Sequence, residues 1–158
     1  MREDGTTSSR APTLVLGIGN ILLADDGVGV RAIEALRRTA VPAGVDVVDG
    51  GTAGADLLDI LAERQKVIVV DAVDVGAQPG TVVRLSPEDL GSVGDRGISL
   101  HEVGLAQALA MVELLGIGPR KAIILGVQVE SISCGLHLSR PVAEAMSKIV
   151  GQVLREVA

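Results

Sequence analysis

The stretch from Leu14 to Leu36, LVLGIGNILLADDGVGVRAIEAL, limits what this chain can fold into more than any other. Thr13 to Ile18 is a short apolar run closed by glycine, the pattern of a strand covered on both faces. Gly17 and Gly19 suit a sharp exit with unusual backbone angles. Asn20 tolerates such angles and can bond to its own backbone. Asp25 and Asp26 then stand side by side, bracketed by Gly27 and Gly29. Val30, Ile33 and Leu36 recur at helical spacing, so a helix is predicted from about Val28.

Three readings of that turn compete. A dinucleotide fingerprint needs a third glycine where Leu22 stands, and it needs the helix to start at the turn. Here Asn20 to Gly27 intervene, with two carboxylates that repel phosphate. A cation site is the second reading, since adjacent carboxylates in a glycine-flanked loop offer hard oxygen ligands. The third is an acidic pair that merely favours a helix dipole. On the turn by itself the third reading is the stronger.

The rest of the chain repeats the strand–helix alternation. VDVVD, ending at Asp49, predicts a second strand. Gly50, Gly51 and Thr52 follow it, with Thr52 as the N-cap of a helix through Leu57, Leu58 and Leu61. VIVVDAV is a third strand with Asp71 at its carboxyl end. Ala72 to Gly80 is too short for a helical crossover, so Thr81 to Leu85 is expected antiparallel at an edge. Ser99 and Glu102 form a capping box for a fourth helix to about Leu115, apolar on most sides and therefore expected to be heavily buried. Lys121 to Val127 is a fifth strand. Ser139 opens a last helix with Val142, Met146, Ile149, Val153 and Val157 on one face. The prediction is an α/β three-layer fold: a five-stranded, mostly parallel twisted sheet with one antiparallel edge strand and helices on both faces. Residues 1–12 are expected to form a disordered tail, and 13–158 a single α/β domain.

Composition narrows the function. The chain has no Phe, Tyr or Trp and a net charge of −6, which argues against a nucleic-acid partner. No apolar run reaches membrane-spanning length and no signal-peptide core is seen, so a cytoplasmic protein without a membrane partner is expected. The single Cys134 excludes an intrachain disulfide and a cysteine-rich zinc site, and is read as a buried or half-buried filler.

In an open α/β sheet, ligands gather beyond the carboxyl ends of the parallel strands. Asp25/Asp26, Asp49 and Asp71 all fall there. If strand five is parallel, the fourth helix starts at the same crest, with His101 in its first turn, where the dipole disfavours imidazolium. Topology can thus assemble Asp26, Asp71 and His101 at one edge; the plainer readings are Asp71 as a turn or N-cap residue and His101 as a cap or a solvent-facing side chain. Asp49 is read as bonding its own glycine turn, and His137 as an unremarkable loop residue.

These residues also carry a family resemblance. GIGNILLADDGVGV, VDVVDGGTAG, VIVVDAV and ISLHEVGLAQAL, in this order, resemble the nickel-iron hydrogenase maturation endopeptidases over nearly the whole chain. The resemblance implies cleavage of a C-terminal extension from the hydrogenase large-subunit precursor after nickel insertion. It implies that Asp26, Asp71 and His101 are both the catalytic and the metal-contacting residues, with the nickel carried by the precursor. The partner would be that precursor, and the protease a monomer. No G-x-S-x-G elbow is present, and His101 beside the two carboxylates favours metal ligation over an aspartic dyad. A non-catalytic nickel-binding assembly chaperone using the same ligands is the alternative.

Overall fold

The apolar run Thr13–Ile18 forms β1, an interior strand. In this computed structural model, which describes residues 10–52, 56–92 and 100–158, β1 lies parallel between β2 (Val45–Gly51) and β3 (Lys66–Val73). β5 (Lys121–Gln128) adds parallel to β3, and β4 (Val82–Leu85) pairs antiparallel with β5 at the edge. The order is β2-β1-β3-β5-β4, the five-stranded mixed sheet that the sequence predicts. The short connection after β3 leaves β4 no room to cross back over the sheet. Hydrogen bonds from Gly80 N to Gln128 O (2.9 Å) and from Gln128 N to Thr81 O (2.8 Å) lead it onto β5.

Side chains alternate across the strands, so each strand feeds two apolar layers. Val15, Ile68, Val70, Ile123 and Leu125 face α1 (Val28–Leu36), α5 (Arg140–Glu144) and α6 (Met146–Val157). Leu14, Leu16, Val67, Val69 and Ile124 face α2 (Asp56–Leu61), the short α3 (Asp89–Ser92) and α4 (Leu100–Leu114). At the end of α4, Gly116 takes φ +73° while Ile117 N bonds Val112 O (3.0 Å) and Gly116 N bonds Glu113 O (3.0 Å), a Schellman closure. Arg120 N then bonds Gln65 O, just before β3. The carboxyl end of α4 is therefore at the amino edge of the parallel strands, and its first turn is at the carboxyl crest.

Several expectations need correction or fall outside the described residues. The last helix is two helices, broken at Ala145, although Val142, Ile149 and Val153 are buried on the anticipated face. α4 is not covered all round. Leu105 and Val112 are buried, but Met111 (44% exposed), Leu114 (82%) and Leu115 (61%) face outward, because the sheet and α2 cover only one side. Cys134 is exposed, not a filler, since its loop lies on the surface. Ser99, the amino half of the capping box, lies outside the described residues, as do 53–55 between Thr52 and α2 and residues 1–9 of the anticipated tail. Ala11 and Pro12, also assigned to that tail, are tied down. Ala11 N bonds Asp46 Oδ2 (3.1 Å), Ala11 O accepts from Arg64 (2.7 Å), and Gln65 N bonds Pro12 O (2.8 Å).

The start of α1 meets the sheet with no side chain between them. A Cβ at Gly29 would lie 2.3 Å from Val70 O and 2.4 Å from Ile18 O, and one at Gly17 would lie 2.2 Å from Gly29 O. Backbone atoms cannot rotate away, so Gly29→Ala is expected to cost about 3 kcal/mol or more. Gly104→Ala, inside α4 with nothing within 4 Å of its would-be Cβ, is expected to be neutral or to stabilise by about 0.5–1 kcal/mol. Denaturant midpoints of the two variants test this, and equal midpoints would refute the close approach.

Candidate active site

The sheet changes winding direction between β1 and β3. The chain leaves β1 through α1 for β2 on one side, then crosses through α2 to β3 on the other. The carboxyl ends of β1 and β3 therefore open a crevice at the topological switch point, the usual ligand position in such folds. Asp71 sits in β3 beyond Val70, the last β3 residue paired with β1. The β1 chain exits above it through Gly19 (φ +140°), whose would-be Cβ would strike Asp26 O at 1.9 Å, so glycine is required there. Asn20 Oδ1 accepts from Leu22 N (2.9 Å), the local turn bond that asparagine was expected to make. A 3-10 turn over Ala24–Gly27 then carries Asp25 and Asp26 into α1.

The two adjacent aspartates are separated in role. Asp25 is fully buried and accepts four hydrogen bonds: from Glu130 N (2.9 Å), Ser131 N (3.1 Å), Ser139 N (2.7 Å) and Ser139 Oγ (2.7 Å). Burial opposes its ionisation, but the donors of Ser139, Glu130 and Ser131 outweigh it and hold the carboxyl below its ordinary range. Asp25 is thus a fastener for the 130–139 segment. Asp26, 4% exposed, accepts from Asn20 N through Oδ2 (2.8 Å), which aligns its carboxylate with the glycine turn. Asp71 is fully buried, and its Oδ1 accepts from Ala72 N (2.8 Å).

His101 lies in the first turn of α4, at the same crest. Its side chain is not among those described, and among the described residues no group of three metal-ligating side chains forms. Asp49 is exposed and accepts from Gly51 N (2.8 Å), serving its own turn as anticipated. His137 is exposed on the loop after Cys134.

Two supporting residues escape a reading of motifs. Ser139 was expected to open the last helix, yet it makes no side-chain cap bond. Its hydroxyl goes to Asp25 instead. Gln128, 4% exposed at the end of β5, accepts from Val75 N (2.8 Å) and Ala77 N (3.3 Å), and donates to Asp74 Oδ1 (3.1 Å) and Val129 O (3.0 Å). It thereby fixes the loop that follows Asp71. The only sequence signal was a polar residue closing an otherwise apolar strand. What results is two buried carboxylates at adjoining strand ends, a helix start beside them, and loops pinned by buried polar groups. Such a crest favours a cation or a cation-bearing ligand.

Asp25→Ala strands four donors, so a loss of about 3 kcal/mol or more is expected, read as a fall in melting temperature of roughly 10 °C. Because the folded carboxyl titrates below its unfolded value, its contribution is complete above the ordinary carboxylate range. That contribution is lost as pH falls through the depressed folded value. The stability gap between wild type and Asp25→Ala should therefore narrow in acid. A gap that is constant down to pH 2 would contradict this.

Comparison with known proteins agrees with this fold. Residues 30–156 match the family model for hydrogenase maturation protease. The chain is 42% identical over 135 residues to the hydrogenase 2 maturation protease of Escherichia coli K12, covering 84% of this chain and 82% of that one. It is 41% identical over 147 residues to the hydrogenase expression/formation protein HupD of Rhodobacter capsulatus, covering 91% and 70%. Its fold superposes on the hydrogenase maturating endopeptidase HybD from E. coli with a TM-score of 0.84 at 38% identity, covering 91% and 90%. The chain belongs to the hydrogenase maturation protease family.

Proposed function

We propose that this protease removes the C-terminal extension of the nickel-iron hydrogenase large-subunit precursor once nickel has been inserted, and that Asp26, Asp71 and His101 contact the nickel the precursor carries. The observation that carries the reading is the pair of buried carboxylates, Asp26 and Asp71, at the switch point of a family endopeptidase. The start of α4, which bears His101, lies at the same crest.

Carboxylate oxygens and an imidazole suit divalent nickel. The nickel is cargo of the substrate, so these residues read the precursor's state of assembly. A precursor without nickel lacks the group that all three would grip, and each 1.4 kcal/mol of lost contact weakens binding tenfold. Contact also orients the precursor, bringing one peptide bond beside a carboxylate able to take a proton from the attacking water. The metal adds polarisation of the carbonyl where the bond comes within its reach. Water adds to the carbonyl carbon, the amide bond breaks, and the released amine takes the proton. The chain would act as a monomer in the cytoplasm. No helix among the described residues is long and apolar enough to cross a membrane.

Single substitutions test the assignment. Asp26→Ala, Asp71→Ala and His101→Ala are each expected to slow cleavage of a nickel-loaded precursor by about 10²-fold or more, measured by intact mass against time. Unmutated rates in all three would overturn the assignment. Binding of the loaded precursor without cleavage by the unmutated protein would replace the protease reading with that of a nickel-binding assembly chaperone.

A further inference from the structure

Four apolar side chains are exposed around the Asp26 turn: Ile21 (37%), Leu22 (58%), Ile132 (56%) and Leu136 (58%). They come from two loops that are one unit. Leu23 bridges Gly135, with Ala24 N bonding Gly135 O (2.9 Å) and Gly135 N bonding Leu22 O (2.9 Å). Asp25 N bonds Ser131 O (3.0 Å), the Asp25 carboxylate takes its four donors from Glu130, Ser131 and Ser139, and Arg31 Nη2 bonds Leu136 O (3.0 Å). The unit is continuous with the site. Asn20 N holds Asp26 Oδ2, and a Cβ on Gly27, the residue after Asp26, would lie 2.8 Å from Ile21 Cα.

An apolar loop held only by its own side chains folds them inward. Here polar bonds beneath the loops fix the backbone, so the apolar groups stay outward at no further ordering cost when something covers them. Exposed Glu130 and Arg140 flank the second loop in sequence. Met111, Leu114 and Leu115 are also exposed, but they lie toward the far end of α4, near the amino edge of the sheet, away from the crest.

We propose that Ile21, Leu22, Ile132 and Leu136 form the wall on which this protease seats an extended apolar stretch of the hydrogenase large-subunit precursor, and that Asp25 and Ser139 are the positioning residues that hold the wall beside Asp26. The occupant follows from the placement: the exposed side chains belong to loops bonded to the turn that carries Asp26, so a polypeptide brought to Asp26 meets that surface first. The inference rests on the function proposed above and adds a specificity surface to it.

The test uses the full chain and a nickel-loaded precursor, with initial rates across precursor concentration and, separately, titrated binding. The double variant Ile132→Ser/Leu136→Ser should melt at the wild-type temperature, because both side chains are exposed. It should raise KM by about tenfold or more, with the loss concentrated in KM rather than kcat. Ser139→Ala should raise KM severalfold, and Ser139→Thr, which keeps the hydroxyl, should restore it. A purely stabilising Ser139 would shift the melting temperature without that split. Leu114→Ser, at the far end of α4, should behave as wild type. An unchanged KM in the double variant would overturn the wall. If the unmutated protein cuts no precursor, the proposed function fails by itself and the dissociation constant becomes the readout. Binding weakened about tenfold in the double variant would then support the wall, while equal binding, or none by either protein, would overturn it.

Discussion

The contact between Gly29 and the ends of β1 and β3 is the constraint from which the rest of the site follows. Two glycines let α1 rest its backbone directly on Ile18 O and Val70 O. Any side chain there would lift the helix, and with it the Asp25–Asp26 turn that leads into it. The contact therefore brings the turn that bears Asp26 to the strand ends, where β3 carries Asp71 just beyond Val70. Sheet order supplies the crevice, and glycine supplies the closeness.

Around that contact, buried polar groups do work that an apolar core cannot. Asp25 and Gln128 each sit almost without exposure and each satisfies several loop groups. A buried charge or amide is tolerated only when its partners are all in place, so each residue admits few loop conformations. The crest loops are consequently built to hold their shape before a substrate arrives. This matters for a protease, since holding the scissile bond in place supplies a large part of catalysis.

The fold was legible because its signals are local or topological. The apolar runs, the glycine exit at Gly19 and the short connection after β3 are each enough to set one strand or one direction, and Asp49 and Asn20 bond within two residues of themselves. Distinguishing Asp25 from Asp26 was a different matter. They are chemically identical neighbours, and what separates them is the set of donors 105 to 114 residues away along the chain. Ser139 was visible as a helix start but not as a partner of Asp25, for the same reason. The outward face of α4 and the exposure of Cys134 were misjudged because apolar composition reports what a residue prefers, not whether the fold has anything left to cover it.

The metal checkpoint is the claim on which the functional reading stands, and one comparison tests it directly. The large-subunit precursor is incubated with this protein in nickel-loaded and nickel-free forms, and both are read by intact mass. Loss of a C-terminal peptide from the loaded form alone is expected. Equal processing of the two forms would contradict recognition through nickel, and would leave Asp26, Asp71 and His101 without the role proposed for them.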